Sequence, residues 1–504
     1  MEQSYSFATR LRAEAAARPG APAVTTAEGT FTYAGLDALA DRAAHSLRGH
    51  GVGPGDRVAH LGPNAIAFAA VMYGASRLRA ASVGLNWRLP ARELAAVLAD
   101  ARPAVLVAAP EHARLAYDAF LEAGDPATKL IVADGWPAGV PAEPIDLAPE
   151  PGDLAMLCYT SGTTGAPKGV MATNEAVHNH LRRPGAYPYV DRDSVLLNCA
   201  PVFHAAGAGW MWVPGFHGAH LVLLAQADPG TVLAALAEHR ATAALLVPAV
   251  LGFLLDHPDI PDLPDLRTIV YGASPITETA LRRAMAAFPS AGFVQVYGMT
   301  ETIGPVTRLD EAEHREGARL RSAGRPYDGV ELRVAEPGGD TGLPPGAPGE
   351  IQVRADQTTP GYWRDEAATA ELLRPGGWLR TGDAGHLDED GYLYLTDRIK
   401  DMIVTGGENV YAGEVENVLA ACPGVRDVCV VGVPDPRWGE TVKAVVVGEA
   451  TAAEVIAYAR ARLAHYKAPT SVDFVAELPR NPSGKVLRRL VREPYWDDEP
   501  RYVT

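Results

Sequence analysis

A segment rich in hydroxyl groups and glycine contains the residue types that bind polyphosphate. Residues 159–169 read YTSGTTGAPKG and hold five hydroxyl-bearing side chains, three glycines and one lysine. Such a loop offers backbone N–H groups, short hydroxyl donors and one compact positive charge. It is not a Walker A loop, because its lysine follows proline and precedes glycine. Taken alone, the segment also fits a flexible surface loop, so its companions must decide between the two.

The elements around this segment are predicted to alternate between strands and helices. The apolar run 154–158 leads directly into it and indicates a buried strand. Upstream, apolar residues at helical spacing predict a helix over 36–47, and a short strand follows at 56–61. Residues 103–108 and 130–133 are typical of buried parallel strands. This alternation predicts an α/β fold of layered subdomains.

The character of the sequence changes twice farther along the chain. Near residue 330, short strand-like runs and Pro/Gly turns predict a small β-subdomain. Residues 397–401 form a dense charge cluster between two apolar strands, and we place the main domain boundary there. A length of 504 residues also exceeds what one hydrophobic core supports. The prediction is a large N-terminal domain over 1–396 and a smaller, mobile α+β C-terminal domain over 397–504.

Composition argues against several classes of function. The net charge is −16, from 45 basic and 61 acidic residues, and no long basic run occurs. This disfavours a nucleic-acid partner and anchoring to anionic lipid. No window is apolar enough to span a bilayer, and the first residues lack the features of a signal peptide. The four cysteines form no CxxC pair, which favours structural thiols in a reducing compartment. We therefore expect a cytoplasmic monomer or homodimer that acts on small molecules.

Six further segments contain residue types suited to binding or catalysis. In chain order they are 201–207, 271–275, 294–301, 378–383, 397–416 and 479–485. Together with 159–169 they resemble, in the same order, the motifs of the adenylate-forming superfamily, which includes acyl-CoA synthetases, luciferases and peptide-synthetase adenylation domains. Residues 397–403 and 434–440 look most like stand-alone fatty acyl-CoA synthetases. The resemblance covers essentially the whole chain, and no carrier-protein domain follows residue 485.

The resemblance implies an enzyme that uses ATP, Mg²⁺ and coenzyme A. It would activate an apolar monocarboxylic acid, fatty or aryl, as acyl-AMP with release of pyrophosphate, and then transfer the acyl group to CoA. The first step is an in-line attack on the α-phosphorus, which depends on positioning and on neutralisation of charge.

The resemblance also assigns roles to individual residues. The loop residues that would hold the β- and γ-phosphates are Thr160, Ser161, Gly162, Thr163, Thr164 and Lys168. Glu301 would supply a hard oxygen ligand for Mg²⁺, and Thr300 would contact phosphate. The residues that would bracket the adenine are Gly272, Ala273, Ser274, Tyr297 and Gly298. Asp383, assisted by Arg398, would bind the ribose hydroxyls, and Lys485 would bridge the carboxylate and the α-phosphate.

The second half-reaction requires a thiol to reach the acyl-adenylate. In the family the C-terminal domain rotates about a hinge residue, which is Lys400 in this sequence. The rotation would bring Gly406 and Gly407 to line a narrow tunnel for pantetheine, where glycine lets the backbone approach the ligand. Trp438 would either support this CoA-dependent step or pack between the domains.

The acyl pocket is expected among mostly apolar residues. They are Phe203, His204, Trp210, Met211, Val247 and Ile303, with His204 as a wall or gate. An apolar lining fits a hydrocarbon or aryl tail. It disfavours a dicarboxylate such as malonate, because the run 247–255 offers no cation for a second charge. Trp210 either closes the pocket, which would favour a medium-chain or aromatic acid, or lines its side.

Two other functions remain as alternatives. The chain could adenylate an acid and pass it to a carrier-protein thiol or an amine instead of CoA. It could also be a non-catalytic protein that binds nucleotide or acyl-CoA, although such a protein would not need Lys168, Glu301, Asp383 and Lys485. Some residues also have purely structural explanations. Glu301 could stabilise a helix N-terminus, and Asp383 could cap a turn.

Overall fold

The structure is a computed structural model that consists of two compact units. It describes residues 6–145, 147, 149–160, 167–274, 276–398, 401–405, 408–480 and 486–496. The larger unit contains residues 1–320, 324–331 and 354–379, and the smaller unit contains residues 321–323, 332–353 and 380–504. The domain boundary expected after residue 396 stays a prediction.

Helices alternate with strands along most of the chain. The helices are α1 (Phe7–Ala17), α2 (Tyr33–Gly49), α3 (Ile66–Arg77), α4 (Ala91–Ala101), α5 (Ala113–Ala123), α6 (Asn174–Leu181), α7 (Ala205–His217), α8 (Pro229–Glu238), α9 (Pro248–Leu255), α10 (Glu278–Ala287), α11 (Glu311–Glu316), α12 (Glu366–Leu372), α13 (Ala412–Leu419), α14 (Ala452–Arg460) and α15 (Arg488–Arg492). The helix predicted over 36–47 lies within α2.

The strands range from two residues in β15 and β18 to eleven in β23. They are β1 (Pro22–Thr26), β2 (Gly29–Thr32), β3 (Arg57–Leu61), β4 (Ala81–Leu85), β5 (Val105–Ala108), β6 (Lys129–Val132), β7 (Leu154–Thr160), β8 (Lys168–Thr173), β9 (Val195–Asn198), β10 (His220–Leu223), β11 (Ala243–Leu245), β12 (Thr268–Gly272), β13 (Gly292–Met299), β14 (Gly304–Leu309), β15 (Arg325–Pro326), β16 (Glu331–Ala335), β17 (Gly349–Arg354), β18 (Leu373–Arg374), β19 (Trp378–Leu387), β20 (Leu393–Arg398), β21 (Ile403–Thr405), β22 (Glu408–Val410), β23 (Val425–Asp435), β24 (Gly439–Gly448) and β25 (Ser471–Phe474).

The larger unit is built on two sheets. One has the strand order β15-β14-β13-β12-β11-β9-β10-β1-β2, and the other has the order β6-β5-β3-β4-β7-β8. The central strands of both sheets run parallel, because helical crossovers connect them. Buried side chains of α1, α2, α3 and α7, such as Leu11, Leu36, Met72 and Val213, form one core with strands of both sheets. The two sheets therefore share a core, which non-directional apolar burial stabilises.

One sequence prediction about these sheets is wrong in part. The segment 130–133 was expected to form a buried parallel strand, and β6 does pair in parallel with β5. It lies, however, at the edge of its sheet, with Lys129 and Val132 exposed. An edge strand has a neighbour on one side only, so an apolar run alone does not reveal how far it is buried.

The smaller unit contains most of one sheet and all of another. Strands β17, β19 and β20 form part of one, and β21 to β25 form the other, in the order β22-β21-β24-β23 with β25 beside β24. Along β23, Val428 and Val430 face the core made with α13 and α14, whereas Cys429 and Val431 face a second apolar cluster. This alternation is the period of two expected for a strand with both faces covered.

These observations confirm the predicted fold class, an α/β protein with a large N-terminal and a smaller C-terminal domain. Within the described ranges, no helix combines the length and the apolar character needed to cross a membrane.

His60 is a fully buried titratable group in the centre of the second sheet. Its side chain lies in β3 and packs edge-on against Phe68, with ring centroids 5.5 Å apart. Burial, reinforced by the nearby His112, lowers the pKa of His60 from 6.5 to about 4. The imidazole is therefore neutral in the folded chain at neutral pH.

We predict that His60→Leu makes the stability of the chain less dependent on pH. The unfolded chain binds a proton at this position near pH 6.5, whereas the folded chain does so only near pH 4. The stability linked to the neutral His60 is therefore fully present above pH 6.5 and decreases as the pH falls towards 4. At pH 5 the free energy of unfolding is lower by about 2 kcal/mol. Urea unfolding should show that the free energy of unfolding decreases less from pH 7 to pH 5 in the variant than in the parent chain. Equal losses would mean that His60 is not the group responsible.

Candidate active site

The topology of the larger unit brings four of the predicted segments to one edge of a sheet. Strands β9, β11, β12 and β13 are parallel neighbours, so their carboxyl ends lie side by side. Phe203 and His204 follow β9, Val247 follows β11, and the predicted adenine and metal segments follow β12 and β13. The carboxyl edge of a parallel sheet is where ligands bind in folds of this kind. Residues predicted for the acyl group, the adenine and the metal therefore share one edge.

The end of β12 approaches the neighbouring strand closely. Gly272 pairs with Val296 in the ladder, and a Cβ at Gly272 would collide with the carbonyl oxygen of Val296. Tyr297, the next residue of β13, is buried, while Ala273 is exposed and has a positive φ of 65°. The missing side chain at Gly272 thus sets the spacing between the two predicted adenine-binding segments.

A single 3₁₀ turn over Thr300–Thr302 follows β13 and presents Glu301. The turn is fixed by the Thr302 hydroxyl, which accepts from Met299 N at 3.0 Å and lies 2.7 Å from the carbonyl oxygen of Gly304. Ile303 ends the turn with a positive φ of 54°. Glu301 is buried, with 6% of its surface exposed, and its Oε1 accepts a hydrogen bond from the Tyr362 hydroxyl at 2.7 Å. The apolar strand β13 thus runs directly into the polar turn that carries Glu301.

The predicted phosphate loop is closed by a hairpin of the other sheet. Strands β7 and β8 are antiparallel, and Thr160 pairs directly with Lys168. The Lys168 ammonium lies 5.1 Å from the centroid of the Tyr362 ring. The loop residues Ser161, Gly162, Thr163 and Thr164 lie outside the described residues.

A segment that we name the bridging segment, residues 356–363, holds the Glu301 turn in place. Thr359 N donates to the carbonyl oxygen of Glu301 at 2.8 Å. The fully buried Gln357 donates from Nε2 to the carbonyl oxygen of Thr302 at 3.0 Å. The turn is therefore hydrogen-bonded to the bridging segment at Glu301 and at Thr302.

The bridging segment is also hydrogen-bonded to the strand that begins at Lys168. Trp363 N donates to the carbonyl oxygen of Gly169 at 2.7 Å, and Met171 N donates to that of Gly361 at 3.2 Å. These bonds continue along β8 in the manner of an added strand. One short segment is thus bonded to both the Lys168 strand and the Glu301 turn, which belong to different sheets.

The residues after β9 form an aromatic surface. The rings of Phe203 and His204 lie 4.6 Å apart, and the Arg88 guanidinium lies 5.7 Å from the Phe203 ring. Burial, with a smaller contribution from Arg88, lowers the pKa of His204 to about 4. His204 is therefore uncharged at neutral pH, which suits the wall of an apolar pocket.

Trp210 and Met211 occupy different faces of α7. The Trp210 indole N–H donates to the carbonyl oxygen of Leu197 at 3.0 Å, and only 4% of this residue is exposed. Met211 instead lines a small cavity with Tyr33 and Tyr73, towards the N-terminal helices. Successive residues of a helix point about 100° apart, so the two side chains leave α7 in different directions.

Other predicted site residues lie in the smaller unit. Asp383 is buried in β19, and its backbone lies opposite that of Arg398 in the antiparallel ladder with β20. The Asp383 N–H donates to Thr381 Oγ1 at 3.0 Å. Trp438 is 47% exposed in the turn between β23 and β24, with the Arg437 guanidinium 4.5 Å from its ring. The remaining predicted residues Lys400, Gly406, Gly407 and Lys485 lie outside the described part of the chain.

The donor set near Glu301 fits Mg²⁺ better than a metal held by protein alone. Within the described ranges, no three His, Cys, Asp or Glu side chains gather to form a metal centre. Mg²⁺ is commonly held by one or two carboxylates, with phosphate oxygens and water completing its shell. Glu301 provides one hard carboxylate and has one oxygen already oriented by Tyr362. When bound with ATP, the ion would neutralise charge on the phosphates.

Sequence reasoning missed two residues of this region. Tyr362 contacts both Lys168 and Glu301, and Arg88 supplies a cation beside Phe203. The run 247–255 holds no cation, as predicted, but Arg88 weakens the argument against a dicarboxylate. A signal existed for Arg88, since it follows the carboxyl end of β4. No comparable signal marks Tyr362.

Comparison with known proteins identifies the family of this chain. The sequence profile described as "AMP-binding enzyme" matches residues 11–363, and that of the "AMP-binding enzyme C-terminal domain" matches residues 414–485. A feruloyl-CoA synthase of an Amycolatopsis species is 41% identical over 489 residues, which cover 94% of this chain and 96% of that protein. The long-chain-fatty-acid–CoA ligase FadD13 of Mycobacterium tuberculosis is 36% identical over 512 residues, covering 99% of this chain and 100% of its own length.

A solved structure agrees with this relationship. ATP-bound MatB from Rhodopseudomonas palustris is similar to this chain with a TM-score of 0.90 and 31% identity, over 98% of this chain and 99% of that one. The chain belongs to the AMP-binding enzyme family, and its predicted membership of the adenylate-forming superfamily is confirmed.

We predict that Gly272→Ala destabilises the larger unit by about 1–3 kcal/mol and weakens ATP binding, because β12 and β13 must separate to admit the methyl group. Thermal unfolding and a binding titration with ATP would measure both effects. Gly252→Ala is the matched control, since it lies in α9 with no atom near the added methyl group. The control should gain about 0.5–1 kcal/mol from helix propensity. Unchanged ATP affinity in Gly272→Ala would remove this strand end from the nucleotide site.

Proposed function

We propose that this member of the AMP-binding enzyme family joins an apolar monocarboxylic acid, preferably an aryl acid, to coenzyme A. The reaction class, ligation of an acid to a thiol with formation of AMP, is supported by the family and by relatives named as CoA ligases. One of these is named for a fatty acid and one for ferulate, an aryl acid. The choice between the two is the finer part of the proposal.

The chemistry follows from the charges involved. A carboxylate is a poor electrophile, so its oxygen first attacks the α-phosphorus of ATP, forming acyl-AMP and releasing pyrophosphate. Lys168, with Thr160 and the loop residues 161–164, would bind the β- and γ-phosphates, and Glu301 would ligate Mg²⁺. Thr300 would contact phosphate. The thiol of CoA then attacks the acyl carbon, and AMP leaves as the thioester forms.

Further residues would hold the nucleoside and serve the thiol step. The adenine would lie against Gly272, Ala273, Ser274, Tyr297 and Gly298, at the sheet edge described above. Asp383 and Arg398 would bind the ribose hydroxyls. Gly406, Gly407 and Trp438 would serve the CoA-dependent step, with Lys400 as the hinge. These roles rest on the resemblance to the family.

The fixed position of Trp210 is the observation that favours an aryl acid. Its indole N–H is bonded to Leu197, and its ring centroid lies 6.5 Å from that of Tyr187. Tyr187 is in turn hydrogen-bonded to His180. Displacement of the indole would leave a buried N–H without its partner, which is costly. We infer that Trp210 closes the acyl pocket instead of lining its side, and a pocket closed by a fixed indole accepts a compact ring more readily than a long alkyl chain.

The first test is mass spectrometry of products formed with Mg-ATP, CoA and a panel of acids. The panel contains a hydroxycinnamic acid, an arylacetic acid, octanoic acid, palmitic acid and a short dicarboxylic acid. We expect aryl-CoA and AMP in equal amounts, with kcat/KM at least about tenfold above that for palmitate, the discrimination that a closed hydrophobic pocket supplies. Trp210→Ala should narrow this ratio by admitting longer chains.

Each other outcome of the panel has a distinct meaning. A dicarboxylate as the best substrate would contradict the apolar class and assign Arg88 to the second carboxylate. Acyl-AMP without thioester would show that another thiol or an amine is the acceptor. If no acid led to ATP consumption, the ligase function would be wrong.

We also predict separate effects of Lys485→Ala on the two half-reactions. Loss of this ammonium should abolish formation of acyl-AMP from free acid, because the attacking carboxylate and the α-phosphate lose a shared positive charge. Conversion of supplied acyl-AMP to acyl-CoA should continue. Pyrophosphate release and thioester formation, measured separately, give the two rates. Equal loss of both would argue against a role confined to adenylation.

A further inference from the structure

Two oppositely charged groups of the proposed phosphate site lie close to one aromatic side chain. Lys168 begins β8 of one sheet, and Glu301 follows β13 of the other. The bridging segment is hydrogen-bonded to both elements, and Tyr362 is its residue nearest to both functional groups. The main chain of the segment bonds to the two elements, and the side chain of Tyr362 contacts the two charged groups.

Tyr362 presents a different part of its side chain to each charge. Its hydroxyl donates to Glu301 Oε1 at 2.7 Å, a charge-assisted hydrogen bond that orients the carboxylate. Its ring faces the Lys168 ammonium at 5.1 Å from the centroid, within the range of a cation–π interaction. Each group therefore has a partner that leaves its full charge in place.

The alternative partner for each group would be the other one. Lys168 is half-buried and Glu301 is buried, and opposite charges attract more strongly where water is partly excluded. In the part of the chain that the structure describes, Lys168 forms no ion pair with any carboxylate. A direct pair with Glu301 would consume the positive charge that phosphate needs and the negative charge that Mg²⁺ needs.

We propose that Tyr362 is a positioning residue that keeps Lys168 and Glu301 apart as two separate charges, available to phosphate and to Mg²⁺ respectively. The proposal rests on the ATP-dependent function proposed above. It adds a residue that contacts neither the acid nor the nucleotide but sets the state of two groups that do. It also accounts for both contacts of Tyr362, one through its hydroxyl and one through its ring.

Two variants separate the two contacts. Tyr362→Phe keeps the ring and removes the hydroxyl, whereas Tyr362→Leu removes both. Equilibrium binding of ATP, measured by calorimetry in EDTA and in excess Mg²⁺, reports Lys168 and Glu301 separately and needs no turnover. Tyr33→Phe is the control, because it deletes another buried hydroxyl of the larger unit, one that donates to the carbonyl oxygen of Ala219 at 2.7 Å.

We expect Tyr362→Phe to bind ATP normally in EDTA but to lose about threefold to tenfold of the tightening caused by Mg²⁺. Tyr362→Leu should in addition bind ATP more weakly in EDTA, by about threefold to tenfold, because Lys168 is then free to pair with Glu301. This second loss should disappear when Glu301→Gln is also present, since no carboxylate remains for Lys168. Tyr33→Phe should match the parent chain in both conditions.

The proposal is overturned if both Tyr362 variants bind ATP like the parent chain, or if Glu301→Gln leaves the Leu defect unchanged. The second result would show that Tyr362 supports the site only structurally. Product formation by the parent chain decides the proposed function independently. A parent chain that makes acyl-CoA while the variants bind normally refutes the inference alone, and a parent chain that binds no ATP refutes both.

Discussion

The hydrogen bonds of the bridging segment are the interaction on which the proposed active site depends. The two sheets of the larger unit share an apolar core, and apolar burial is non-directional, so it does not fix one sheet against the other within a fraction of an ångström. Phosphoryl chemistry requires that accuracy, because a misplacement of about 1 Å can cost a hundredfold in rate. Bonds from residues 356–363 to Gly169 and to Glu301 supply the missing directionality. The relation between the start of β8 and the Glu301 turn is thus set by main-chain geometry.

The overall charge of the chain makes this local arrangement necessary. With a net charge of −16, the protein as a whole does not attract ATP or CoA, both of which are polyanions. Each positive group near the proposed phosphate position must therefore be held in place, and nearby carboxylates must not form an ion pair with it. The aromatic partner of Lys168 meets that requirement, because a ring attracts an ammonium without cancelling its charge. A carboxylate in the same place would form an ion pair with the lysine, and the neutralised ammonium would no longer attract phosphate.

Much of the site could be predicted from the sequence, because many of its parts are contiguous. An apolar strand followed by a polar turn is visible in the residues themselves, and β13 with Glu301 is an example. Tyr362 could not be found in this way, since its importance comes from a contact with a turn that is remote in sequence. Met211 illustrates what adjacency in the sequence does not reveal. It follows Trp210 directly in the chain, yet helix geometry turns the two side chains to different faces of α7.

The order of strands in the sheet separates the two kinds of chemistry that the proposed reaction needs. Polar and charged groups follow β12 and β13, whereas Phe203, the neutral His204 and Val247 follow β9 and β11. The phosphates would require fixed positive charges, and the acyl tail would require an uncharged surface. His204 satisfies the second requirement because burial keeps its imidazole unprotonated at neutral pH. Since neighbouring strands end only about 4.8 Å apart, both environments can lie within the span of one acyl-adenylate. The carboxyl group of the acid would lie where the charged and the uncharged environments meet. It must be charged as a nucleophile, and it then joins an uncharged acyl tail to the phosphate.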